Sequence, residues 1–314
     1  MMHILCAVDG SERSHWGVEA VGTLFHAQVR EVVLTHVVQS SALRKALKQE
    51  HMDAAVITQV LRKVDAEGNA LLQGMVEKMT LTLSQATTRP FATVRSVLAH
   101  GHVAETLVRQ AEKRQSDLVI VGSRGLSDIE GYLLGSVSRK VLAHAPCPVL
   151  TIKQPLPPVV RVVLAVDGSR ASRQAVHVVR TWMAPDTVRV HVVSVVPPVL
   201  TEVAPKVLSP QHVAALMEPL RKQAHEIARW CREELLKEGF QATVEIREGI
   251  PREAILASLQ ETHADLAILG SKGTSGAERF QLGSVSEWVA AFAPCSILVV
   301  RPRRRLTSIH HRQP

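Results

Sequence analysis

The chain has 314 residues, which is enough for two domains of about 150 residues each. Apolar residues make up 46% of the chain and aromatic residues only 3%, so aliphatic side chains must form its cores. No apolar run approaches the roughly 20 residues that a membrane-spanning helix needs, which excludes that class of protein. The first strand-like run begins at His3, so we expect no signal peptide and a soluble cytoplasmic protein.

Aliphatic runs typical of strands alternate along the chain with segments of helical periodicity. In the first half, strands are predicted near 3–8, 31–37, 92–98, 117–121 and 148–152, and helices near 12–27, 55–85, 102–115 and 135–144. In the second half, strands are predicted near 161–166, 187–195, 241–247, 265–269 and 296–301, and helices near 170–183, 211–238, 251–263 and 283–292. This order predicts an α/β fold in which each half forms a five-stranded, mostly parallel, doubly wound sheet.

The two halves are copies of one another. Residues 118–153 align without gaps on 266–301, and half of the positions are identical. The opening Asp9-Gly-Ser11 corresponds to Asp167-Gly-Ser169, and the first half carries ten extra residues that must lie between its second and third strands. The prolines of 154–158 indicate a stiff linker. We therefore predict one domain at 1–153, a second at 159–302, and a disordered basic tail at 303–314.

The last strand of each half is mostly apolar, in 148–152 and in 296–300. An exposed apolar edge strand promotes aggregation unless it is paired. We expect these two strands to pair with each other across a pseudo-twofold axis, so that the chain resembles a dimer of single domains.

One glycine motif occurs in both halves. It reads Gly122-Ser-Arg-Gly125, nine residues and Gly135-Ser136 in the first half, and Gly270-Ser-Lys-Gly273, nine residues and Gly283-Ser284 in the second. Each copy follows a strand and precedes a helix, where glycines let the backbone approach an anion and the helix N-terminus offers free N–H groups. The motif is neither GxxxxGK[ST] nor GxGxxG. It predicts phosphate binding.

This spacing, the opening Asp-Gly-Ser and the Ala-Pro-Cys before the last strand together resemble the ATP-binding branch of the universal stress protein family. The resemblance covers nearly the whole chain, twice, and leaves out only the basic tail. It implies a Rossmann-like fold of the adenine nucleotide alpha hydrolase type and an adenine nucleotide as cofactor (ATP, ADP or AMP), with or without magnesium.

The resemblance also implies site residues. The tip of the first strand would line the adenosine end, the second strand would touch adenine, the glycine motif would wrap ribose and phosphates, and the aspartate would contact the nucleotide or its magnesium. In the second half, which we favour, these residues are Ala165, Val166, Asp167, Val195, Val196, Gly270, Lys272, Gly273, Gly283, Ser284, Val285 and Ser286. In the first half they are Ala7, Val8, Asp9, Val37, Val38, Gly122, Arg124, Gly125, Gly135, Ser136, Val137 and Ser138.

Structural alternatives exist for several of these residues. The aspartates of both halves could simply stabilise Asp-Gly turns, and Ser136 and Ser284 could cap the last helix of each half. Arg124 and Lys272 could be solvated cations rather than phosphate ligands. The second site is favoured because Gly249-Ile-Pro251 fits the family's Gly-x-Pro turn, whereas the first half has Gly101-His-Val103.

Other polar and reactive residues are assigned structural roles. His100 and His102 are interpreted as a surface pair rather than metal ligands, and no metal site is predicted. Cys147 and Cys295 are predicted to be buried core thiols. Four arginines in the tail contribute to the net charge of +8, but without interleaved aromatic residues they do not favour nucleic-acid binding.

The long segment 40–88, and its counterpart that includes 196–210, is predicted to be helical in part and to form a lid over the nucleotide. No catalytic residue is predicted, so we favour nucleotide binding in a stress-response or regulatory role, with slow or no hydrolysis. Two alternatives remain: a weak ATPase or autophosphorylating enzyme that uses Ser136 or Ser284, and a nucleotide-free module that binds a metal, a lipid or a protein. The protein partner, and whether tandem chains form a homodimer, stay open.

Overall fold

The computed structural model describes residues 1–86, 92–125, 134–198, 209–274 and 282–302, so the basic tail lies outside it. The first half contains β1 (Met2–Ala7), α1 (Glu12–Phe25), β2 (Val29–Val38), α2 (Ser40–Gln49), α3 (Ala54–Ala86), β3 (Thr93–His100), α4 (Val103–Lys113), β4 (Leu118–Gly122), α5 (Ser136–His144) and β5 (Val149–Ile152). The second half contains β6 (Val160–Ala165), α6 (Arg170–Trp182), β7 (Val188–Val196), α7 (Pro210–Lys237), β8 (Gln241–Glu248), α8 (Pro251–Glu261), β9 (Leu266–Gly270), α9 (Ser284–Phe292) and β10 (Ser296–Val300).

All ten strands form one sheet in the order β3-β2-β1-β4-β5-β10-β9-β6-β7-β8. Neighbouring strands are parallel within each half, and β5 and β10 are antiparallel where the halves meet. Leu150 pairs with Leu298, its own counterpart in the duplication, which places the pseudo-twofold axis between them. The predicted α/β fold and the pairing of the last strands are both confirmed.

The sheet separates two apolar cores, because successive side chains of a strand point to opposite faces. On one face the sheet packs against α1, α3, α6 and α7, where Met75 and Cys231 are buried. On the other face it packs against α4, α5, α8 and α9, where Leu107 and Val289 are buried. Each core includes residues of both halves, so the two domains share a continuous interior.

The direction of the strands fixes where the two predicted sites lie. Within a half, the parallel strands bring the Asp-Gly-Ser turn and the glycine motif to the same edge of the sheet. Because β5 and β10 run antiparallel, the site edge of the first half lies opposite to that of the second half. The two sites are therefore far apart and are built independently.

The cysteines are buried as free thiols, which confirms the prediction for Cys147 and Cys295. Burial raises the pKa of Cys147 to about 12 and that of Cys295 to about 11, so both thiols stay protonated at neutral pH. Among the described residues, no helix is both long enough and apolar enough to cross a membrane.

Candidate functional site

A cavity of about 810 Å³ opens at the ends of β6, β7 and β9 in the second half. Its volume lies in the range of small-molecule sites, roughly 300–1,000 Å³. All twelve residues predicted for this half line it: Ala165, Val166, Asp167, Val195, Val196, Gly270, Lys272, Gly273, Gly283, Ser284, Val285 and Ser286. The structure therefore brings together residues that are up to 121 positions apart in the chain.

Asp167 connects the turn after β6 to the glycine motif. One carboxylate oxygen accepts the N–H of Ser169 at 3.0 Å, and the other accepts the N–H of Thr274 at 3.1 Å. A Cβ on Gly273 would lie 2.8 Å from the same carboxylate, so only glycine allows this close approach. The turn-stabilising role considered for Asp167 is thus present in the structure, while its side chain still borders the cavity.

Gly283 borders the cavity at the start of α9. The N–H of Gly283 donates to the carbonyl of Ser271 at 2.7 Å, which fixes the start of α9 against the loop after β9. Gly283 is the N-cap residue, and Ser284 is the first helical residue with an exposed side chain. The structure thus contradicts the alternative that Ser284 caps this helix, because the preceding glycine holds the cap position. The first residues of this helix line the cavity, and the N–H groups of a first helical turn have no partner within the helix.

Ser286 lies one turn further along α9 and is buried. Its hydroxyl donates to the carbonyl of Gly270 at 2.6 Å, so its proton is used inside the protein. The oxygen retains acceptor capacity toward the cavity. The hydroxyl contact predicted for Ser286 can therefore be made only as an acceptor.

The opposite end of the cavity is apolar and was missed by sequence reasoning. The long helix α7 supplies Leu220, Ala224 and Ile227 to the wall, and α8 supplies Pro251 and Ile255. The first three residues follow a helical spacing of four and three, which marks an inward face but does not say that this face meets a cavity. Described residues of the predicted lid segment thus line the cavity, 199–208 lies outside the described residues, and the lid itself stays a prediction.

An ion pair holds this wall over the site. Arg221 on α7 donates through Nε to Glu248 at the end of β8, at 2.6 Å. The hydrogen bond from Arg221, helped by the charge of its guanidinium, keeps the pKa of Glu248 below its usual value against the opposing effect of burial. In the first half the corresponding pair is reversed, with the acidic residue on the helix and the basic residue on the strand. Asp65 on α3 lies 3.9 Å from His100 at the end of β3. His100 therefore faces a carboxylate of its own domain.

The backbone framework of the site is repeated in the first half. Asp9 accepts the N–H of Ser11 at 3.0 Å and its hydroxyl at 2.6 Å, and a Cβ on Gly125 would lie 2.9 Å from this carboxylate. Gly135 is the N-cap of α5, so Ser136 does not cap this helix either. Ser138 donates to the carbonyl of Gly122. Val8 and Val38 are buried at the ends of their strands, and Ala7, Val37 and Val137 are half-buried. Arg124 lies in the loop after β4.

Comparison with known proteins identifies the family. The model of the universal stress protein family matches residues 1–153 and again 159–301. A universal stress protein of Bacillus subtilis is 30% identical over 155 residues, which span 48% of this chain and 97% of that protein. A universal stress protein of Mycobacterium tuberculosis is 26% identical over 320 aligned positions, which span 95% of this chain and 94% of that protein.

A solved structure shares the whole architecture. The crystal structure of a universal stress protein from Archaeoglobus fulgidus superposes with a TM-score of 0.66 at 22% identity, covering 96% of this chain and 97% of that one. At this level of identity the comparison establishes the common fold. Together with the doubled family match, it confirms the tandem arrangement that the repeated motif predicts.

Proposed function

Since the chain belongs to the universal stress protein family, we propose that it binds an adenine nucleotide in the cavity of its second half. One observation carries this proposal: the twelve residues chosen from the family pattern all line a single cavity. The cavity combines an apolar end suited to a base with a glycine-lined helix N-terminus suited to phosphate. The domains we propose span 1–153 and 159–302.

The phosphates would lie between the two glycine segments. Gly270 ends β9, Lys272 and Gly273 lie in the loop that follows, and Gly283 precedes α9; all four border the cavity. The helix N-terminus and the lysine would both attract negative charge. The base would lie against Ala224 and Ile227.

Magnesium would bind together with the phosphates, because the protein alone would supply only part of its ligands. Asp167 provides carboxylate oxygens at the cavity, which is the donor type that this ion prefers. Both oxygens already accept backbone N–H groups but keep further lone pairs. The donor chemistry therefore fits one contact to a phosphate-bound ion.

Binding with slow or no hydrolysis fits the polar groups better than catalysis does. A general base needs a carboxylate or imidazole that can accept the proton of the attacking water. The hydroxyl proton of Ser286 is donated to Gly270, and the Asp167 carboxylate, which already accepts two backbone N–H groups, is the one that we assign to the phosphate-bound ion. We propose a stress-response or regulatory role in the cytoplasm that depends on nucleotide occupancy.

The proposal is tested by mass spectrometry of small molecules released from the purified protein and by calorimetric titration with ATP, ADP, AMP and adenosine. Ser284→Glu places a negative charge at the exposed first residue of α9, so we expect at least tenfold weaker binding of ATP. Ser284→Gln has a similar size and no charge, and it should keep affinity within about threefold. Adenosine, which lacks phosphate, should bind both variants alike.

If no adenine compound is released and none binds at millimolar concentration, the nucleotide proposal is wrong and an interaction module is favoured instead. Release of phosphate from ATP that ceases in Ser284→Ala would support the enzymatic alternative.

A further inference from the structure

The second strand of each half carries a different residue at the same place beside the site. The N–H of Val8 donates to the carbonyl oxygen of Thr35 at 3.0 Å, and the N–H of Val166 donates to the carbonyl oxygen of Val193 at 2.9 Å. These equivalent bonds fix the register between the halves. The next residue is therefore His36 in the first half and Ser194 in the second.

In the second half this place belongs to the cavity. Ser194 lines it and is only 2% exposed, and Ala224 of α7 lines it from the opposite side. Both side chains are small, so the space between the end of β7 and the long helix stays open. Val166 borders the same space.

In the first half an imidazole fills this place. Nδ1 of His36 lies 2.8 Å from the carbonyl oxygen of Val8, at the end of β1. A Cβ added to Gly68 of α3 would lie 3.0 Å from Cδ2 of the same ring. The ring of His36 thus spans the gap between the strand end and the helix.

Gly68 and Ala224 are themselves equivalent. A Cβ on Gly10 would touch Leu71, and one on Gly168 would touch Ile227, which aligns the two long helices. Gly68 precedes Leu71 by three residues, as Ala224 precedes Ile227. The halves therefore differ by a matched exchange: histidine with glycine in the first, serine with alanine in the second.

We infer that the His36–Gly68 pair closes the base end of the first half, so that the chain binds one adenine nucleotide rather than two. This inference rests on the proposed function. The ring occupies the volume that a base would need, and it hydrogen-bonds to the Val8 carbonyl, whose counterpart residue Val166 borders the open cavity. The glycine motif of the first half then maintains the fold without a nucleotide.

Calorimetric titration with ATP and with adenosine tests the inference in two ways. It counts the sites per chain, and it measures affinity in variants in which the two residue pairs are exchanged between the halves. We expect one site per wild-type chain. Ser194→His with Ala224→Gly installs the first-half pair in the second half and should weaken binding at least thirtyfold. His36→Ser with Gly68→Ala should leave the first affinity unchanged and add a second binding event.

Two single substitutions test the same inference without requiring that the double variants fold. Leu220→Trp fills the open cavity from the half-buried face of α7 and should abolish binding. Val64→Trp, at the corresponding half-buried position of α3, should leave affinity within about threefold.

Two sites in the wild-type chain, or retained affinity in Leu220→Trp, would overturn the inference. So would the absence of a second event in the folded His36→Ser/Gly68→Ala protein. A wild-type chain that binds no nucleotide at all would instead refute the proposed function on which the inference depends.

Discussion

Lys153 of the first half donates its ammonium group to the carbonyl oxygen of Ala293 in the second half, at 2.6 Å. The same nitrogen lies 3.0 Å from the carbonyl of Ala290, so the lysine satisfies the C-terminal end of α9. Arg301, its counterpart in the duplication, donates to the carbonyls of Leu142 and Ala143 at the end of α5. Each half thus supplies the cation that the helix end of the other half favours.

Replacing Lys153 should weaken the junction of the two halves. Lys153→Met keeps most of the apolar stem but removes both hydrogen bonds to α9. Because the freed carbonyls are partly buried, we expect the free energy of unfolding to fall by about 1–2 kcal/mol. Equilibrium unfolding in urea measures the change. The matched control is Lys140→Met on the exposed side of α5, which should change stability by less than about 0.5 kcal/mol. Equal stability of the two variants would contradict the role assigned to Lys153.

The same lysine should give the junction a dependence on pH. Burial lowers the pKa of Lys153 from 10.5 to about 8, with a smaller effect of the nearby Arg124 in the same direction and an opposing effect of Cys295. Between these two pKa values the unfolded chain binds the extra proton, so the contribution of Lys153 to stability rises with pH above about 8 and is fully present above 10.5. The difference in unfolding free energy between wild type and Lys153→Met should therefore grow from pH 7 to pH 10. A constant difference would show that the buried amine does not titrate there.

The inner strands could be predicted because they are rich in aliphatic residues, as the buried strands of a parallel sheet must be. The outer strands β3 and β8 carry polar residues among the aliphatic ones, and their predicted positions rested on the order of the elements as well. The pairing of β5 with β10 followed from the same reasoning, since two apolar edges in one chain must be covered. The prediction for the segment 40–88 was less complete. His51 adopts a positive φ of 56° and separates α2 from α3, a break that the charged residues around it did not reveal.

The parts of the site that follow strand ends could be predicted from the sequence. The parts that depend on how helices pack against the sheet could not. Asp167 and Gly273 follow strands whose ends meet at one edge, so their proximity could be inferred. The contribution of Leu220 and Ile227 depends on how α7 crosses the sheet, which no local pattern encodes. The role of His36 could not be predicted either, because it depends on the packing of this side chain against Gly68 of α3.

The glycine motif should affect stability independently of any ligand. A Cβ on Gly270 would lie 2.7 Å from the backbone carbon of Ala171, so α6 would have to move. We expect Gly270→Ala to lower the free energy of unfolding by about 1–3 kcal/mol. Gly122→Ala should cost less, since its nearest contacts are at 3.0 Å, to the Cβ of Arg13, and at 3.2 Å, to a carbonyl oxygen.

A matched control for these substitutions lies in α3. Gly74 is exposed within this helix, and its added Cβ would meet no atom within 4 Å. Gly74→Ala should therefore raise stability by about 0.5–1 kcal/mol through helix propensity. Thermal and urea unfolding of the three variants should give the order Gly74→Ala, Gly122→Ala, Gly270→Ala from most to least stable. A different order would mean that the strand end relaxes more readily than the distances indicate.

Glu245 should make the outer edge of the second half sensitive to acid. It is half-buried on β8 and accepts hydrogen bonds from His191 on β7 and Ser258 on α8, both at 2.9 Å. Burial raises its pKa, but the hydrogen bonds from Arg247, His191 and Ser258 outweigh this effect and lower the pKa from 4.5 to about 2. The stability that the carboxylate contributes is therefore complete above pH 4.5 and is lost as the pH falls toward 2.

Glu245→Gln tests this contribution. At pH 7 we expect the variant to be less stable by about 1–3 kcal/mol, because charge-assisted hydrogen bonds become neutral ones. The difference from wild type should shrink steadily between pH 5 and pH 3. Glu253→Gln, at an exposed position in the first turn of α8, serves as the control and should change stability little at any pH. Since α8 begins at Pro251 on the cavity wall, loss of Glu245 should also weaken nucleotide binding, whereas Glu253→Gln should not. Unchanged stability of Glu245→Gln at pH 7 would show that the network does not hold α8 against the sheet.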